Sequence, residues 1–390
     1  MRSYSSSTLL ATSTSRPSRH VSSVPDFGTT GLFSGLLHSF VAFDWGDEID
    51  LSRARRHIPA ELHALPRKPR TPPSIAYESP PLRLGLPPLE ISMPVLGSVC
   101  ASADLTIFDF GTVSLGLVIG FRLSKEDLTR LAGALSEPTV FVQRARETLE
   151  PYFRSLQPAI EKPLWIDLSE EYFVFQIVPD EAAPRPAQLV AQFPGWLASL
   201  VRLEPDPLSD TEIAEALRLR LSYSSEDLIV ADWAAAVVVD RECNEILETI
   251  AFANLQLLEY RHIDQALDRR LKAAYGLIHQ LTRTRLPIWR RHVQPIRALG
   301  ELKVEVNEMF ERASGALTLV GDPYVARVYQ QLSARFHLEQ WGQNIRRSIS
   351  ILEGIYQVVS DQAAMYRTET IEIVVMLLIL TEILIAVFRH

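Results

Sequence analysis

Apolar and polar residues alternate at every second position along residues 105–121, which predicts two β-strands joined at Gly111. Directly afterwards, Ser124 is followed three residues later by Asp127, a spacing typical of a capped helix start. We therefore predict a helix over residues 125–135 that follows the second strand without a long loop.

Similar signals recur up to residue 240. Apolar runs predict strands at residues 40–43, 172–178 and 227–239, and capping residues predict helices at residues 50–58 and 209–221. Short strands and helices that interleave in this way favour an α+β or α/β domain over residues 38–240, and we expect the α+β class.

Two stretches lack this periodicity. Residues 1–37 begin with many Ser and Thr and have no acidic residue before Asp26, so we expect a disordered N-terminus; an organellar transit peptide has a similar composition. Residues 59–94 contain ten prolines, and the restricted φ angle of proline predicts an extended loop there.

After residue 240 the apolar period changes to about 3.5 residues. Eleven positions follow it, with Asp264 as the one polar member: Ile246, Ile250, Ala253, Leu257, Tyr260, Asp264, Leu267, Leu271, Ala274, Ile278 and Leu281. A second such series runs over residues 345–366. We expect long antiparallel, coiled-coil-like helices over residues 241–370 that pair in a homo-oligomer, with Asp264 setting the register.

The chain continues into an apolar segment, residues 371–388, which begins with Ile371 and Glu372, ends with Phe388 and has Glu382 near its middle. A helix of this length reaches about 27 Å, slightly less than the hydrocarbon core of about 30 Å. Its apolar side chains favour insertion by roughly 4 to 8 kcal/mol, whereas each central acid costs about 2.5 to 3.5 kcal/mol. We expect a C-terminal membrane helix in which partners shield Glu382.

This reading predicts a single-pass tail anchor in a lipid bilayer, with the bulk of the chain in the cytoplasm. The membrane would be the bacterial inner membrane, or an organellar inner membrane if the N-terminus is a transit peptide.

The composition excludes several classes of protein but does not identify a function. The chain is 47% hydrophobic and 22% charged, as in ordinary folded proteins, which argues against a disordered or multispanning protein. Cys100 and Cys243 are too few for a disulfide framework or a thiolate metal cluster. Phosphate-loop, HExxH, CxxC and GxSxG motifs are missing, so we expect no metal and no cofactor. We interpret His262, near Asp264, as a hydrogen-bonded surface or seam residue.

One stretch of residues 269–297 is strongly basic in a chain of net charge −8. It carries eight positive residues and no acid: Arg269, Arg270, Lys272, Arg283, Arg285, Arg290, Arg291 and Arg297. These side chains could contact anionic lipid headgroups or RNA phosphates, or they could pair with acids of neighbouring helices. The sequence leaves these alternatives open.

The order of these parts resembles the "required for meiotic nuclear division" family over residues 40–388. The most specific segment is the ending RTETIEIVVMLLILTEILIAVF, where Glu372 and Glu382 match the acids of the family's terminal helix. The hairpin IFDFGTVSLGLVIGF and the strand ADWAAAVVVD are also similar. The resemblance implies membrane attachment and contact with RNA or the ribosome, and it brings no catalytic residues.

We therefore expect a membrane-anchored, non-enzymatic scaffold or adaptor whose protein partner the sequence does not name. Two alternatives stay open. The first is an enzyme in which Asp104, Asp109 and Asp232 converge, although a strand-end Asp232 beside a core Trp233 is a simpler interpretation. The second is an oligomeric ion pathway lined by Glu382.

Overall fold

A computed structural model describes residues 31–58, 63–64, 75–77, 79–136, 140–179, 184–283, 304, 310, 317–319 and 322–388. The strands are β1 Leu32–Asp44, β2 Glu48–Ile49, β3 His63–Ala64, β4 Ile75–Tyr77, β5 Leu82–Met93, β6 Gly97–Ile107, β7 Thr112–Ser124, β8 Ile160–Glu161, β9 Ser169–Ile177, β10 Arg220–Leu221, β11 Leu228–Ala231, β12 Ala235–Val239 and β13 Leu317–Leu319. The helices are α1 Leu51–His57, α2 Lys125–Leu135, α3 Val140–Leu156, α4 Pro186–Gln192, α5 Pro194–Arg202, α6 Asp210–Ala216, α7 Asn244–Arg283, α8 Pro323–Arg335 and α9 Leu338–Phe388.

Nine strands form one mixed sheet in the order β10-β11-β12-β9-β1-β7-β6-β5-β3. β1 lies in the middle and pairs antiparallel with both β7 and β9, whereas β9 and β12 are parallel. The two smaller sheets each contain two short strands. The α+β expectation is therefore confirmed.

Local signals predicted several elements correctly. The β6–β7 turn contains Gly111 at φ +96°, where a side chain would lie 1.8 Å from the carbonyl oxygen of Gly46. The Ser124 hydroxyl accepts a hydrogen bond from the Asp127 backbone N–H at 3.1 Å and caps α2. Asp50 caps α1 in the same way, through the backbone N–H of Arg53.

Other predictions were wrong in extent. The proline-rich loop was expected to reach residue 94, but β5 occupies its last part and pairs with β6. Pro87 and Pro88 lie where the register shifts, and a bulge tolerates prolines because their missing N–H groups are not needed there. The other described part of this loop includes β3 and β4, while residues 59–62, 65–74 and 78 lie outside the described range.

The strand expected at residues 227–239 is two strands, β11 and β12, joined by a turn at Asp232. The helix expected at residues 209–221 ends at Ala216, and Arg220 begins β10. β1 begins at Leu32, inside the N-terminal stretch expected to be disordered, and residues 1–30 of that stretch lie outside the described range.

The two faces of the large sheet differ. One face packs against α2, α3 and α5 through a continuous apolar core that includes Val41, Leu115 and Phe175. The other face packs against α7, which α8 and α9 contact from outside through residues such as Val328 and Ile345.

α7 is buried on several sides along its first half. Besides the predicted seam members Ile250 and Ala253, the side chains of Phe252, Leu255 and Leu258 are buried. This part of α7 therefore lies between the sheet and other helices, and its contacts are wider than the single seam of a coiled coil. Asp264 lies further along, at a partly exposed position.

α9 is a continuous helix of 51 residues whose environment changes along its length. Its first turns are buried through Leu338, Ile345, Ile349 and Leu352. Within the residues that the structure describes, no helix is both long enough and apolar enough to cross a membrane.

Candidate functional site

Polar side chains are buried between the sheet and α7, where packing against a helix normally selects apolar residues. The strands contribute His38, Asp44, Thr112, Ser114 and Gln176, and α7 contributes Asn254 and Glu259. Buried polar groups cost free energy unless they are hydrogen-bonded, so each requires an explanation.

Several members of this layer pair with each other or with the backbone. His38 Nε2 lies 2.9 Å from Gln176 Oε1, and Gln176 in turn donates to the carbonyl oxygen of Asp240 at 3.0 Å. Burial lowers the pKa of His38, which favours the neutral imidazole. The side-chain amide of Asn254 donates to the carbonyl oxygens of Phe40 and Glu170 and so ties α7 to two strands.

The last residue of β1, Asp44, connects to α7 through His262. Asp44 Oδ1 accepts a hydrogen bond from the backbone N–H of Gly46 at 3.0 Å, and Oδ2 lies 2.6 Å from His262 Nδ1. The two residues are 218 positions apart in the chain, yet both side chains are largely buried. With a proton on Nδ1, His262 donates this hydrogen bond to Asp44.

Glu259 lies one helical turn before His262 and is only 4% exposed. Its Oε1 atom is buried without a hydrogen-bond partner. The hydroxyl of Thr112 is also buried without one, and Thr112 lies opposite Asp44 in the β1–β7 register. Burial raises the pKa of Glu259 well above its ordinary value, the Asp44 carboxylate raises it further, and the nearby Thr112 hydroxyl opposes the rise. Asp44, Thr112, Glu259 and His262 are called the Asp44 cluster below.

A second buried group surrounds Asp232 in the β11–β12 turn. Its carboxylate is fully buried and accepts hydrogen bonds from Arg202 Nε at 2.8 Å and Arg335 Nε at 2.5 Å. Each arginine also pairs with a second acid, Glu212 or Glu215. This network joins α5, α6 and α8 to the sheet. Next to it, Trp233 is 60% exposed, so the expected core position of Trp233 is wrong.

The three aspartates of the enzyme hypothesis do not meet. Asp104 lies on β6, 3.8 Å from Arg83, and the Asp232 turn follows β11, on the far side of β1. Four strand spacings separate β6 from β12, which amounts to about 19 Å. Asp109 lies in the β6–β7 turn, where its backbone carbonyl accepts a hydrogen bond from Ile49. Burial raises the pKa of Asp104, and Arg83 partly offsets this effect.

The predicted basic stretch is described only at its beginning. Arg269 and Lys272 are exposed on α7, and Arg270 is partly buried. Arg283 is the last residue of α7, and Arg285, Arg290, Arg291 and Arg297 lie outside the described residues.

At the opposite end of the chain, Ile371, Glu372, Glu382 and Phe388 are all exposed on α9. In the described part of the chain, no group of three or more His, Cys, Asp or Glu side chains could hold a metal ion.

Residues 34–245, from the central strand to the start of α7, match the sequence pattern of a protein family. The family described as "Uncharacterized protein MJ0711, N-terminal domain" matches those residues. The chain belongs to this family. Uncharacterized protein MJ0711 of Methanocaldococcus jannaschii is 22% identical over 210 residues, which cover 52% of this chain and 62% of that protein. The chain thus aligns with less than two thirds of its relative, and no solved structure matches it.

These comparisons correct the resemblance proposed from the sequence. The matching family is that of the MJ0711 N-terminal domain and not the "required for meiotic nuclear division" family. The expected contact with the ribosome rested on that resemblance alone and loses its basis, whereas RNA contact by the basic stretch at residues 269–297 stays an untested alternative. The family match ends at residue 245, so Glu259, His262 and Arg335 lie beyond it.

The Asp44 cluster was not predicted. Glu259 and His262 are three residues apart on a helix and therefore share one face, which is a readable signal. Their partners Asp44 and Thr112 come from distant strands, and no local pattern connects those positions to α7.

Proposed function

We propose that this protein is a non-enzymatic, membrane-associated scaffold that carries a long helical arm on an α+β domain. The observation behind the proposal is the apolar end of α9. Thirteen large apolar side chains between Ile371 and Phe388 are each at least 47% exposed. Soluble monomers rarely expose a contiguous apolar patch of this extent.

The distribution of these residues favours a lipid environment over a groove on one partner. The residues lie all around the helix, because every described side chain at positions 371–385 is exposed. A helix that is apolar on all sides is normally surrounded by apolar material, either in a large core or in a bilayer.

The acidic residue within the apolar end of α9 must be shielded from lipid. No described helix meets the requirements for crossing a membrane, and Glu382 lies within the apolar stretch. We propose that several copies bring their α9 ends together, so that Glu382 faces neighbouring helices and not lipid. In this arrangement the basic stretch at residues 269–297 would contact anionic headgroups, each side chain contributing about 1 kcal/mol.

Membrane extraction tests the proposal. The full chain, expressed with native membranes, should stay in the pellet after an alkaline carbonate wash, and a chain that ends at Thr370 should be released. A full chain that washes off completely would contradict membrane attachment.

A matched pair of variants separates the apolar end from α9 in general. Ile379→Asp with Leu384→Asp should release the chain, because these side chains, 52% and 47% exposed, lie in the apolar end. Ile351→Asp with Val358→Asp should leave attachment unchanged, although those side chains on the same helix are similarly exposed, at 40% and 52%. Equal behaviour of the two pairs would remove the basis for the proposal.

The ion-pathway alternative is tested by Glu382→Gln, which keeps the side-chain shape and removes the charge. A scaffold should keep its attachment and its self-association in this variant. Ion flux in proteoliposomes that disappears in Glu382→Gln would instead favour the ion pathway.

A further inference from the structure

We propose that the Asp44 cluster binds one exchangeable proton, and that this proton controls how tightly α7 lies on the sheet. The device is independent of membrane attachment. It consists of two carboxyl groups from different elements, Asp44 on β1 and Glu259 on α7, together with Thr112 and His262.

The contacts around Asp44 leave one carboxyl oxygen of Glu259 without a hydrogen-bond partner. Both oxygens of Asp44 are engaged, one by Gly46 and one by His262, whereas Oε1 of Glu259 has no hydrogen-bond partner. While Glu259 carries a proton it is neutral beside Asp44. Once that proton is lost, two buried carboxylates repel each other across the interface between β1 and α7.

The other charged and titratable groups around the cluster pair with Asp44 or with acids outside it. His262 on α7 already contacts Asp44. Arg261, its neighbour, pairs with Glu170 of β9. From β7 the cluster receives only the neutral hydroxyl of Thr112, which is fully buried. Among the described residues, Asp44 is thus the charged group that acts on Glu259.

The direction of the effect follows from linkage. Burial raises the pKa of Glu259 above its ordinary value of 4.5, so the closed interface holds the proton more strongly than an opened one. As pH rises above about 4.5, the opened form loses its proton first, and opening becomes more favourable. Each pH unit in this range changes the opening equilibrium by up to tenfold, because one proton is released.

A change in the contact of α7 would reach α8 and α9. Tyr329 of α8 donates a hydrogen bond to Gln256, one turn before Glu259. Ile345 and Ile349 of α9 belong to the same buried cluster as Tyr260 and Ile263 of α7. The protonation state of Glu259 would therefore influence how firmly the long helical arm is held.

Hydrogen exchange of the full chain at several pH values, corrected for intrinsic exchange rates, tests the proposal. In the wild type, protection of α7 amides around Glu259 should fall by up to tenfold per pH unit relative to amides of α2. In Glu259→Gln this relative loss should disappear, because the amide side chain carries no titrating proton. The proposal is overturned if wild-type protection does not change with pH, or if Glu259→Gln keeps the same dependence.

Glu171→Gln is the matched control. Glu171 is a partly buried carboxyl whose pKa is also raised by burial, but its partner Val41 in β1 belongs to the apolar face, on the other side of the sheet from α7. Its replacement should leave the pH dependence of α7 relative to α2 unchanged. Equal effects of the two substitutions would contradict a specific role of the Asp44 cluster.

Infrared spectroscopy of the wild type keeps the proposal testable if Glu259→Gln does not fold. A carbonyl band of a protonated carboxylic acid should be present at low pH, and part of it should remain in Glu171→Gln, which removes another carboxyl group of raised pKa. This remaining part is the band of Glu259. It should disappear over the pH range in which α7 loses protection. A folded protein without such a band, or with a band that disappears in a different range, would overturn the proposal.

Discussion

The substitution Asp232→Asn should destabilise the protein by about 3 kcal/mol, because it removes the buried charge that two arginines share. Asp232 accepts hydrogen bonds from Arg202, from Arg335 and from the backbone N–H of Trp233, and a second nitrogen of Arg335 forms an ion pair with it. Asparagine keeps the shape, but it removes the negative charge and turns one acceptor into a donor that faces arginine N–H groups.

Two estimates bound the size of the loss. Hydrogen bonds to charged groups contribute roughly 1.5 to 3 kcal/mol each, so the three bonds together would suggest about 4.5 to 9 kcal/mol. Removing one partner of a buried ion pair costs about 3 to 5 kcal/mol. The lower end of the second range applies here, since Arg202 and Arg335 keep Glu212 and Glu215 as partners and are 17% and 10% exposed.

Urea unfolding, followed by tryptophan fluorescence, measures this loss. Asp206→Asn is the control, because Asp206 is exposed in the loop after α5, and the same substitution there should change stability by less than about 0.5 kcal/mol. Combining Asp232→Asn with Arg335→Met should cost at least about 1 kcal/mol less than the sum of the two single changes, because the arginine left without its partner is also removed.

The reasoning would be refuted if Asp232→Asn matched Asp206→Asn in stability. Strict additivity of Asp232→Asn and Arg335→Met would also refute it, since two side chains in direct contact should be energetically coupled.

Three further predictions concern the sheet and its turns. Burial raises the pKa of Glu171 to about 7, so this group alone should cost the wild type up to about 1.4 kcal/mol of stability per unit as pH rises from 4.5 to 7. In urea unfolding, the loss of stability with pH should be smaller by this amount in Glu171→Gln, and Glu259 should account for part of the remaining loss; an unchanged slope would exclude Glu171 as a source. Asp50→Ala should cost about 1 kcal/mol of stability in thermal unfolding, because it removes the cap of α1. Asp50→Ser should retain most of this stability, and equal melting temperatures for the two variants would count against capping. Gly111→Ala should cost far more stability than Gly97→Ala. Both glycines have positive φ, but the new methyl group meets the backbone of Gly46 at Gly111 and open space at Gly97. Similar melting temperatures would contradict the close approach.

Signals that act over a few residues predicted the structure well. The cap at Ser124 and the turn at Gly111 each depend on contacts or backbone angles close in sequence, and both were predicted at the right residue. α3 was missed although Phe141, Ala145, Leu149 and Phe153 repeat every four residues and are buried. Pro151 lies inside this helix, and a proline normally argues against a helix interior.

Features decided by distant partners could not be predicted from local patterns. β5 continues through Pro87 and Pro88 because β6 holds it on both sides of the bulge. The turn at Asp232 interrupts an apolar run that reads as one strand, because two arginines from other helices stabilise a buried carboxylate there. Tertiary pairing in both places outweighs the local preference.

The same limit applies to the candidate site. His262 attracted attention in the sequence through its neighbour Asp264, but its partner in the structure is Asp44. Glu259 reads as an ordinary solvated position of a charged helix, and only the pairing of β1 with β7 and the position of α7 reveal that it is buried. The three aspartates chosen from the sequence lie at separate positions because the strand order separates them.

The central position of β1 in the sheet affects how the nascent chain folds during its synthesis on the ribosome. β1 ends at residue 44, its second partner β9 begins at residue 169, and synthesis proceeds at about 5 to 20 residues per second. One edge of this central strand therefore has no neighbour for roughly 6 to 25 seconds, and its hydrogen-bonding groups are open to other chains during that time. Nascent chains arrested before β9 should bind a holdase chaperone strongly, and chains arrested well after β12 should bind it weakly. The strand order of the sheet therefore sets the interval in which the nascent chain needs a chaperone.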